Sequence, residues 1–310
     1  MRRAAISVSL LSGPVGLGVA LFAFRHVPVE MPPPPPPVAE EALSIRYLGV
    51  TGYAISDGET TLILDPMLNR PTAAALLLPL APDPAVSARW VPAADYVLVN
   101  HAHYDHALDA PEIALRTGAT VLGTQSVVNL SLSRGVPAAQ TRVLAGGERL
   151  TLGTFTVEVM EATHGPVAGM AEPMFGEIAP DAGDLWFFDY KHDGSLSYRI
   201  ESNGASIWFH PSALYTPGEL GGREADTLII GVNNAAANDA DFRAVVADVN
   251  PKRVLPSHFD NFFQPIDLGL SIFPGLDLDQ RREVLIGDRS DVDWVVMDYG
   301  QVFTAPPDAP

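Results

Sequence analysis

The stretch DYVLVNHAHYDHALD, residues 95–109, decides how this chain is read. It opens as a continuous apolar run and then becomes a crowd of metal-ligand side chains. His101, His103, Asp105 and His106 fall within six consecutive positions, and the chain has only eight histidines in all. A short apolar run without alternation predicts a strand buried on both faces. Side chains alternate along a strand, so His101 and His103 are expected to leave its end in the same direction. Two imidazoles placed that way can hold one metal ion. Asp105 and His106 are expected in the turn before the next helix. They would curl back toward a second position about 3.5–4 Å from the first, the spacing of two-metal hydrolases. Imidazole suits zinc, iron, copper or nickel, so the donors leave the metal open.

Outward from this stretch the pattern repeats in two halves. LSIRYLGVTGYAISDGETTLILDPML reads as short strands separated by turns at Gly52 and SDGET. ALDAPEIALRTG predicts a helix closed by Gly118, ATVLGT a strand, and TQSVVNLSLSRG a helix ending at Gly135. TFTVEVMEATHG alternates as a strand and ends at His164. SLSYRIESNGASIWFHPSA is a hairpin turning at SNG, and ADTLIIGV is a buried strand. NDADFRAVVADVN is an amphipathic helix with Asn238 or Asp239 as its cap, KRVLPSHFD a strand ending at His258, LDQRREVL a helix and DWVVMDY a last strand. His164 and His258 therefore both sit where strands give way to loops, the place where a scaffold positions functional groups. Two layered sheets with helices outside follow from the order of elements.

Composition narrows the function. The net charge of −18 is the wrong sign for neutralising phosphates, so no nucleic-acid partner is expected. The absence of cysteine excludes disulfides, thiolate metal sites and thiol nucleophiles. No Gly-x-Ser-x-Gly stretch occurs, so serine hydrolase chemistry is not supported.

The N-terminus is a separate object. MRRAAISVSLLSGPVGLGVALFAFRH carries two arginines and then an uncharged stretch from Ala4 to Phe24, about the length a bilayer needs. It reads as an uncleaved anchor or as a signal peptide. The arginines place the N-terminus inside and the body outside, so the expected location is exported: periplasmic or extracytoplasmic, anchored or secreted. Six prolines, 32–37, make a stiff spacer. The expected division is an anchor and linker over 1–43, a catalytic domain over 44–304, and a tail over 305–310.

His-Ala-His-Tyr-Asp-His, together with LDP around Asp65, EATHG, DTLIIGV and LPSHFDNF in this order, resembles the metallo-β-lactamase-fold hydrolase superfamily. The likeness is greatest to the branch of sugar-phosphate lactonases and N-acyl-phosphatidylethanolamine phospholipase D enzymes. The resemblance implies an α/β fold, a four-layer αββα sandwich of two mixed β-sheets flanked by helices. It implies that His101, His103 and His164 hold one metal, and Asp105, His106 and His258 a second. One or two divalent ions are expected, zinc first, with iron, manganese and nickel as alternatives.

The chain departs from the family at one place. Where a bridging aspartate is usual it has FHPSALY, with Ser212 nearest that position and His210 a candidate replacement. Asp65 and Asp226 are expected to support ligands from behind. The implied chemistry is attack of a metal-bound hydroxide on an ester, lactone or phosphodiester, with Asp105 exchanging the proton. RPTAAALLLPLAPDP and the segment holding Met170, Met174, Phe175, Trp186, Phe187 and Phe188 suggest walls for a small-molecule or lipid-like substrate with an apolar part. The rival readings are a mononuclear iron oxidoreductase of the same fold and a non-catalytic, membrane-tethered binding protein.

Overall fold

A computed structural model describes residues 43–72, 75–165, 174–211, 214–215, 217–233 and 239–305. The N-terminal segment, the polyproline spacer, Met170, Ser212, Asn238 and the last five residues lie outside the described residues. Among the described residues, no helix is long and apolar enough to cross a membrane.

Two seven-stranded mixed sheets form the two inner layers. The first is built from β1 (Leu43–Gly49), β2 (Gly52–Ser56), β3 (Thr61–Leu64), β4 (Tyr96–Leu98), β5 (Thr120–Gly123), β6 (Thr141–Val143) and the late strand β14 (Val302–Ala305), in the order β14-β1-β2-β3-β4-β5-β6. The second holds β7 (Arg149–Leu152), β8 (Phe155–Ala162), β9 (Ser195–Ser202), β10 (Ala205–His210), β11 (Thr227–Gly231), β12 (Arg253–Ser257) and β13 (Asp293–Trp294), in the order β13-β12-β11-β10-β9-β8-β7. The helices are α1 (Pro84–Trp90), α2 (Tyr104–Ala107), α3 (Ala110–Thr117), α4 (Gln125–Ser133), α5 (Asp239–Val249) and α6 (Leu278–Leu285).

The period-two rule sorts the first sheet's side chains. Leu62, Leu64, Leu98 and Leu122 join the large core shared with Val157, Val159, Ile200 and Phe209 of the second sheet. Their neighbours Ile63, Val97 and Val121 point the other way, against Ile113 and Ala114 of α3 and Val127 and Leu130 of α4. The apolar run before the histidines is therefore apolar throughout because both its faces are covered. The second sheet is covered by Phe242, Val245 and Val246 of α5 and Leu285 of α6. This is the expected four-layer αββα sandwich.

The structure corrects several local expectations. β4 ends at Leu98, so His101 and His103 lie in the loop beyond it rather than on the strand. His103 is the N-cap of α2, in an extended conformation, and Asp105 and His106 sit within that single helical turn rather than in a turn preceding a helix. The apolar segment after Arg70 holds a single 3-10 turn, Ala75–Leu77, and leads into α1, started by Asp83, whose side chain accepts from the Ala85 amide, and by Pro84 at the first turn. DWVVMDY supplies only the two-residue β13. The last strand is β14, which crosses back to pair with β1 of the other sheet, a partner that local sequence cannot reveal.

One polar network spans the two sheets. Asp260, just beyond β12, accepts hydrogen bonds from the Val50 amide (2.8 Å), the Tyr47 hydroxyl (3.0 Å), the Tyr299 hydroxyl (2.7 Å) and Arg70 Nη2 (2.6 Å). Both side chains of the Arg70–Asp260 pair are fully buried. A buried charge left alone is far more harmful than a buried pair is helpful. Asp260→Asn is expected to lower the unfolding free energy by about 3–5 kcal/mol, because Arg70 would lose its counter-charge. Chemical denaturation of wild type and variant checks this; a loss below about 1 kcal/mol would mean that the pair is not stranded when broken.

Candidate metal centre

The loop after β4, the loop after β8 and the loop after β12 converge at one end of the sandwich. His101, His103 and His164 bring ligand atoms within 4.8 Å of one another, and so do Asp105, His106 and His258. The two groups adjoin, since the His101 and His106 ring centroids are 4.1 Å apart. All six residues singled out as candidate ligands are thus gathered into two triads, in the grouping that the resemblance implied.

Each triad is held by partners behind it. His101 Nδ1 is hydrogen-bonded to the Asn100 side-chain oxygen, which leaves Nε2 to face the centre. Asn100 is fixed in turn, its amide donating to Asp65 Oδ1 (2.6 Å) and its side chain to the Leu196 carbonyl. Asp65 Oδ2 lies 2.7 Å from His106 Nδ1, and Thr51 Oγ1 lies 2.9 Å from the same atom. Asp65 therefore orients His106 as expected, turning Nε2 toward Asp105, 3.7 Å away. His258 Nε2 lies 3.2 Å from Asp105 Oδ2.

Two of these residues sit in uncommon backbone conformations. Asp65 has φ 37° and His258 has φ 56°. Such positions are held only when the surroundings over-determine them, and they gather at functional sites. At His258 the surroundings include its own amide, which donates to the Val50 carbonyl (2.6 Å), and Asp260 two residues on.

The electrostatics suit a cation. Burial, followed by the neighbouring imidazoles, holds His101 well below the ordinary imidazole range. Burial lowers His103 to about 3 against the opposing pull of Asp105, and lowers His164 to about 4 with help from His192 and His106. Neutral imidazoles are the form that binds metal. Burial pushes the Asp105 carboxyl up, but His106, His258 and His103 outweigh it and keep the group ionised. Two buried nitrogens of the first triad, His101 Nε2 and His164 Nδ1, have no hydrogen-bond partner. Orphaned buried imidazole nitrogens, next to a second triad that carries the Asp105 carboxylate, fit divalent ions bound by nitrogen and oxygen donors, as in hydrolytic metal sites.

Other expected residues fall elsewhere. His210, offered as a replacement ligand, spends both ring nitrogens on hydrogen bonds, Nδ1 with Ser197 Oγ (2.7 Å) and Nε2 with the Leu214 carbonyl (3.1 Å), and stands outside both triads. Asp226 does not support a ligand. It binds the Ser206 amide and hydroxyl and Lys252 (2.9 Å) at the N-terminal ends of β10 and β11, whereas the histidines lie at the opposite ends. Two residues were missed in sequence. Asp109 anchors the loop after β3 by accepting from the Leu68 and Asn69 amides. His192 is buried beside the first triad, 4.6 Å from His164 by ring centroid. Its signal was present: a further histidine just before the strand that pairs with the strand leading to His164.

Comparison with known proteins points the same way. A family model described as Beta-lactamase superfamily domain matches residues 44–258. A UPF0173 metal-dependent hydrolase of Oenococcus oeni is 26% identical over 264 residues, covering 76% of this chain and 98% of its own length. Igni18, a metallo hydrolase from the hyperthermophilic archaeon Ignicoccus hospitalis, shares the fold with a TM-score of 0.55 at 17% identity, over 86% of this chain and 99% of its own. CmlA, a diiron β-hydroxylase from Streptomyces venezuelae, also shares it, with a TM-score of 0.53 at 17% identity, over 87% of this chain and 55% of its own. The fold therefore accommodates more than one chemistry.

Two expectations follow from the supporting residues. Asp65→Asn is expected to weaken metal binding by roughly 10–100-fold, because His106 loses the carboxylate that orients it; competitive metal titration measures this, and unchanged affinity would remove Asp65 from the site. The second concerns pH. Burial lowers His210 to about 4. The unfolded chain therefore takes up the proton first, and stability is complete above pH 6.5 and declines as the pH falls through about 4. The full loss is about 3 kcal/mol. In metal-free protein, wild type should lose more stability than His210→Gln between pH 7 and 4. Parallel curves would sink the assignment.

Proposed function

The chain belongs to the beta-lactamase superfamily, as a metal-dependent hydrolase of the metallo-β-lactamase fold, and we propose that its ions are held by His101, His103 and His164 at one centre and by Asp105, His106 and His258 at the other. The observation that carries this reading is the adjacency of the two triads, each with its ligand atoms within 4.8 Å. Divalent ions in such sites bring the pKa of water from about 15.7 to about 7 and polarise the oxygen of a carbonyl or phosphoryl group. Zinc fits the donor set best, with iron, manganese and nickel next.

The chain's own residues then divide the work. Asp105 is ionised, buried and within reach of His258 and His106. It accepts a hydrogen bond from the attacking water, takes up its proton and hands it to the leaving group. Asp65 and Asn100 keep His106 and His101 aimed during the exchange.

The surroundings support a substrate with an apolar part. Phe187 lies 4.6 Å from the Tyr104 ring, beside the histidines, and its neighbours Trp186 and Phe188 are 45% and 68% exposed. The exposed Leu77 and Leu78 belong to the segment tied to this one by the Leu80–Leu185 backbone hydrogen bond. Phe262 lies 5.2 Å from His258 and 6.4 Å from the same Tyr104 ring. Acyl esters, lactones and lipid phosphodiesters match such walls. The uncharged Ala4–Phe24 segment behind two arginines supports an exported body, anchored or secreted.

The test combines metal content with a hydrolysis panel. Protein purified without added metal is expected to carry zinc and to cleave a member of a panel of esters, lactones and phosphodiesters with short and long acyl chains. His103→Ala should keep its circular dichroism spectrum while losing metal and at least 10³-fold in rate. Asp105→Asn should lose about 10²–10⁴-fold. Iron content with thiol-dependent oxygen uptake and no hydrolysis would overturn the reading.

A further inference from the structure

The cluster around the first centre contains one imidazole more than its triad. His192 is 4% exposed, and its ring centroid lies 4.6 Å from that of His164, 4.8 Å from His103 and 5.7 Å from His101. The other three separations are 4.5, 4.8 and 4.6 Å. Four rings thus form a compact group, in which His101, His103 and His164 bring ligand atoms within 4.8 Å of one another and the His192 ring stands beside them, stacked on that of His164 at an interplanar angle of 28°. With a metal–nitrogen distance of about 2.0–2.1 Å and the ring centre roughly 1 Å beyond, four imidazoles set tetrahedrally around one ion have centroids about 5 Å apart. The observed separations scatter around that value.

The backbone explains why His192 is there. β8 and β9 are antiparallel, and their last pair is Ala162 with Ser195. His164 is two residues beyond one end of that pair and His192 three residues before the other, so the hairpin stem delivers both to the same edge. The His192 amide donates to the Met174 carbonyl (3.1 Å), and its carbonyl accepts from the Gly176 amide (2.9 Å). The Phe175 ring stands edge-on at 5.4 Å. The side chain is thereby pinned between the 174–176 segment and the three histidines.

We propose that His192 is a fourth imidazole ligand of the first centre, completing a four-histidine site for a divalent transition metal. This rests on the metal-site reading above. Four protein ligands close a tetrahedral site, whereas three leave a position open for water or substrate. The first centre is then a tightly held ion that organises the loops after β4, β8 and before β9. Water activation falls to the second centre, where Asp105, His106 and His258 leave a position open.

Cobalt(II) substitution tests the assignment, since its visible ligand-field bands and X-ray absorption report donor number and type. Full-length apoprotein titrated with cobalt(II) is expected to give a four-coordinate, all-imidazole spectrum for the first equivalent. In His192→Ala that spectrum should shift to three imidazoles plus water, with affinity for this equivalent reduced at least 10-fold and the second equivalent unchanged. His192→Gln serves as the variant of similar size should the alanine form fail to fold. An identical spectrum and affinity in the variants would overturn the proposal while leaving the three-histidine site intact. Failure of wild type itself to bind cobalt(II), or binding unaffected by His103→Ala, would sink the underlying metal-site reading instead.

Discussion

The carboxylate of Asp260 is the point on which the site's geometry depends. It is fully buried and takes hydrogen bonds from Tyr47, Val50, Arg70 and Tyr299, groups that belong to the first sheet and the segments leaving it. Asp260 itself follows the second sheet. A buried anion tolerates no misregister, because each lost donor leaves a desolvated charge. The two sheets are therefore fixed relative to one another at the end where the loops meet. His258, two residues before Asp260 and bonded through its amide to the Val50 carbonyl, is carried to Asp105 by this constraint. Gly49 is required for the same reason: its φ is +94°, and a Cβ there would fall 2.0 Å from Arg70 Nη2.

Around that fixed frame the site concentrates like charge-bearing groups in a poorly solvated space. Burial drives His101, His103 and His164 toward the neutral form, while Asp65 and Asp105 hold His106 above its ordinary value. The arrangement separates two kinds of imidazole by what stands behind each. His101 has an amide oxygen as its partner and His106 has a carboxylate. A carboxylate partner raises the basicity of the facing nitrogen and fixes its tautomer more firmly than a neutral amide does. The two centres are thus chemically unequal before any ion is considered, and the centre with Asp105 is the more negative.

Much of the site was legible in the chain. The run from His101 to His106 declares itself because three histidines and an aspartate in six positions are a density of metal-binding side chains that ordinary loop polarity seldom produces. His164 and His258 were found because each ends an apolar strand, and Asp65 because it stands in the Leu-Asp-Pro element that resembles the superfamily. His210 and Asp226 misled for different reasons. Position along a strand says which end a residue occupies only when the strand's direction in the sheet is known. β10 and β11 run parallel, so Asp226 belongs to the end away from the histidines. His210 has Ser197 from the neighbouring strand to satisfy it. Arg70 and Asp260 carry no local pattern at all, and His192 shows in sequence only as a further histidine just before β9.

By itself the sequence determined which strands are buried on both faces, which loops carry metal-binding groups and that the body is a layered α/β sandwich. These follow from periodicity and residue chemistry, which act over a few neighbours. The tertiary structure alone decided that β14 returns to β1, that Asp260 reaches across to Arg70, and that His192 stands with His164 at the mouth of one hairpin. Those contacts join residues separated by tens to hundreds of positions. Their register is set by the packing of two sheets against each other, an interaction with no signature in any short stretch of chain.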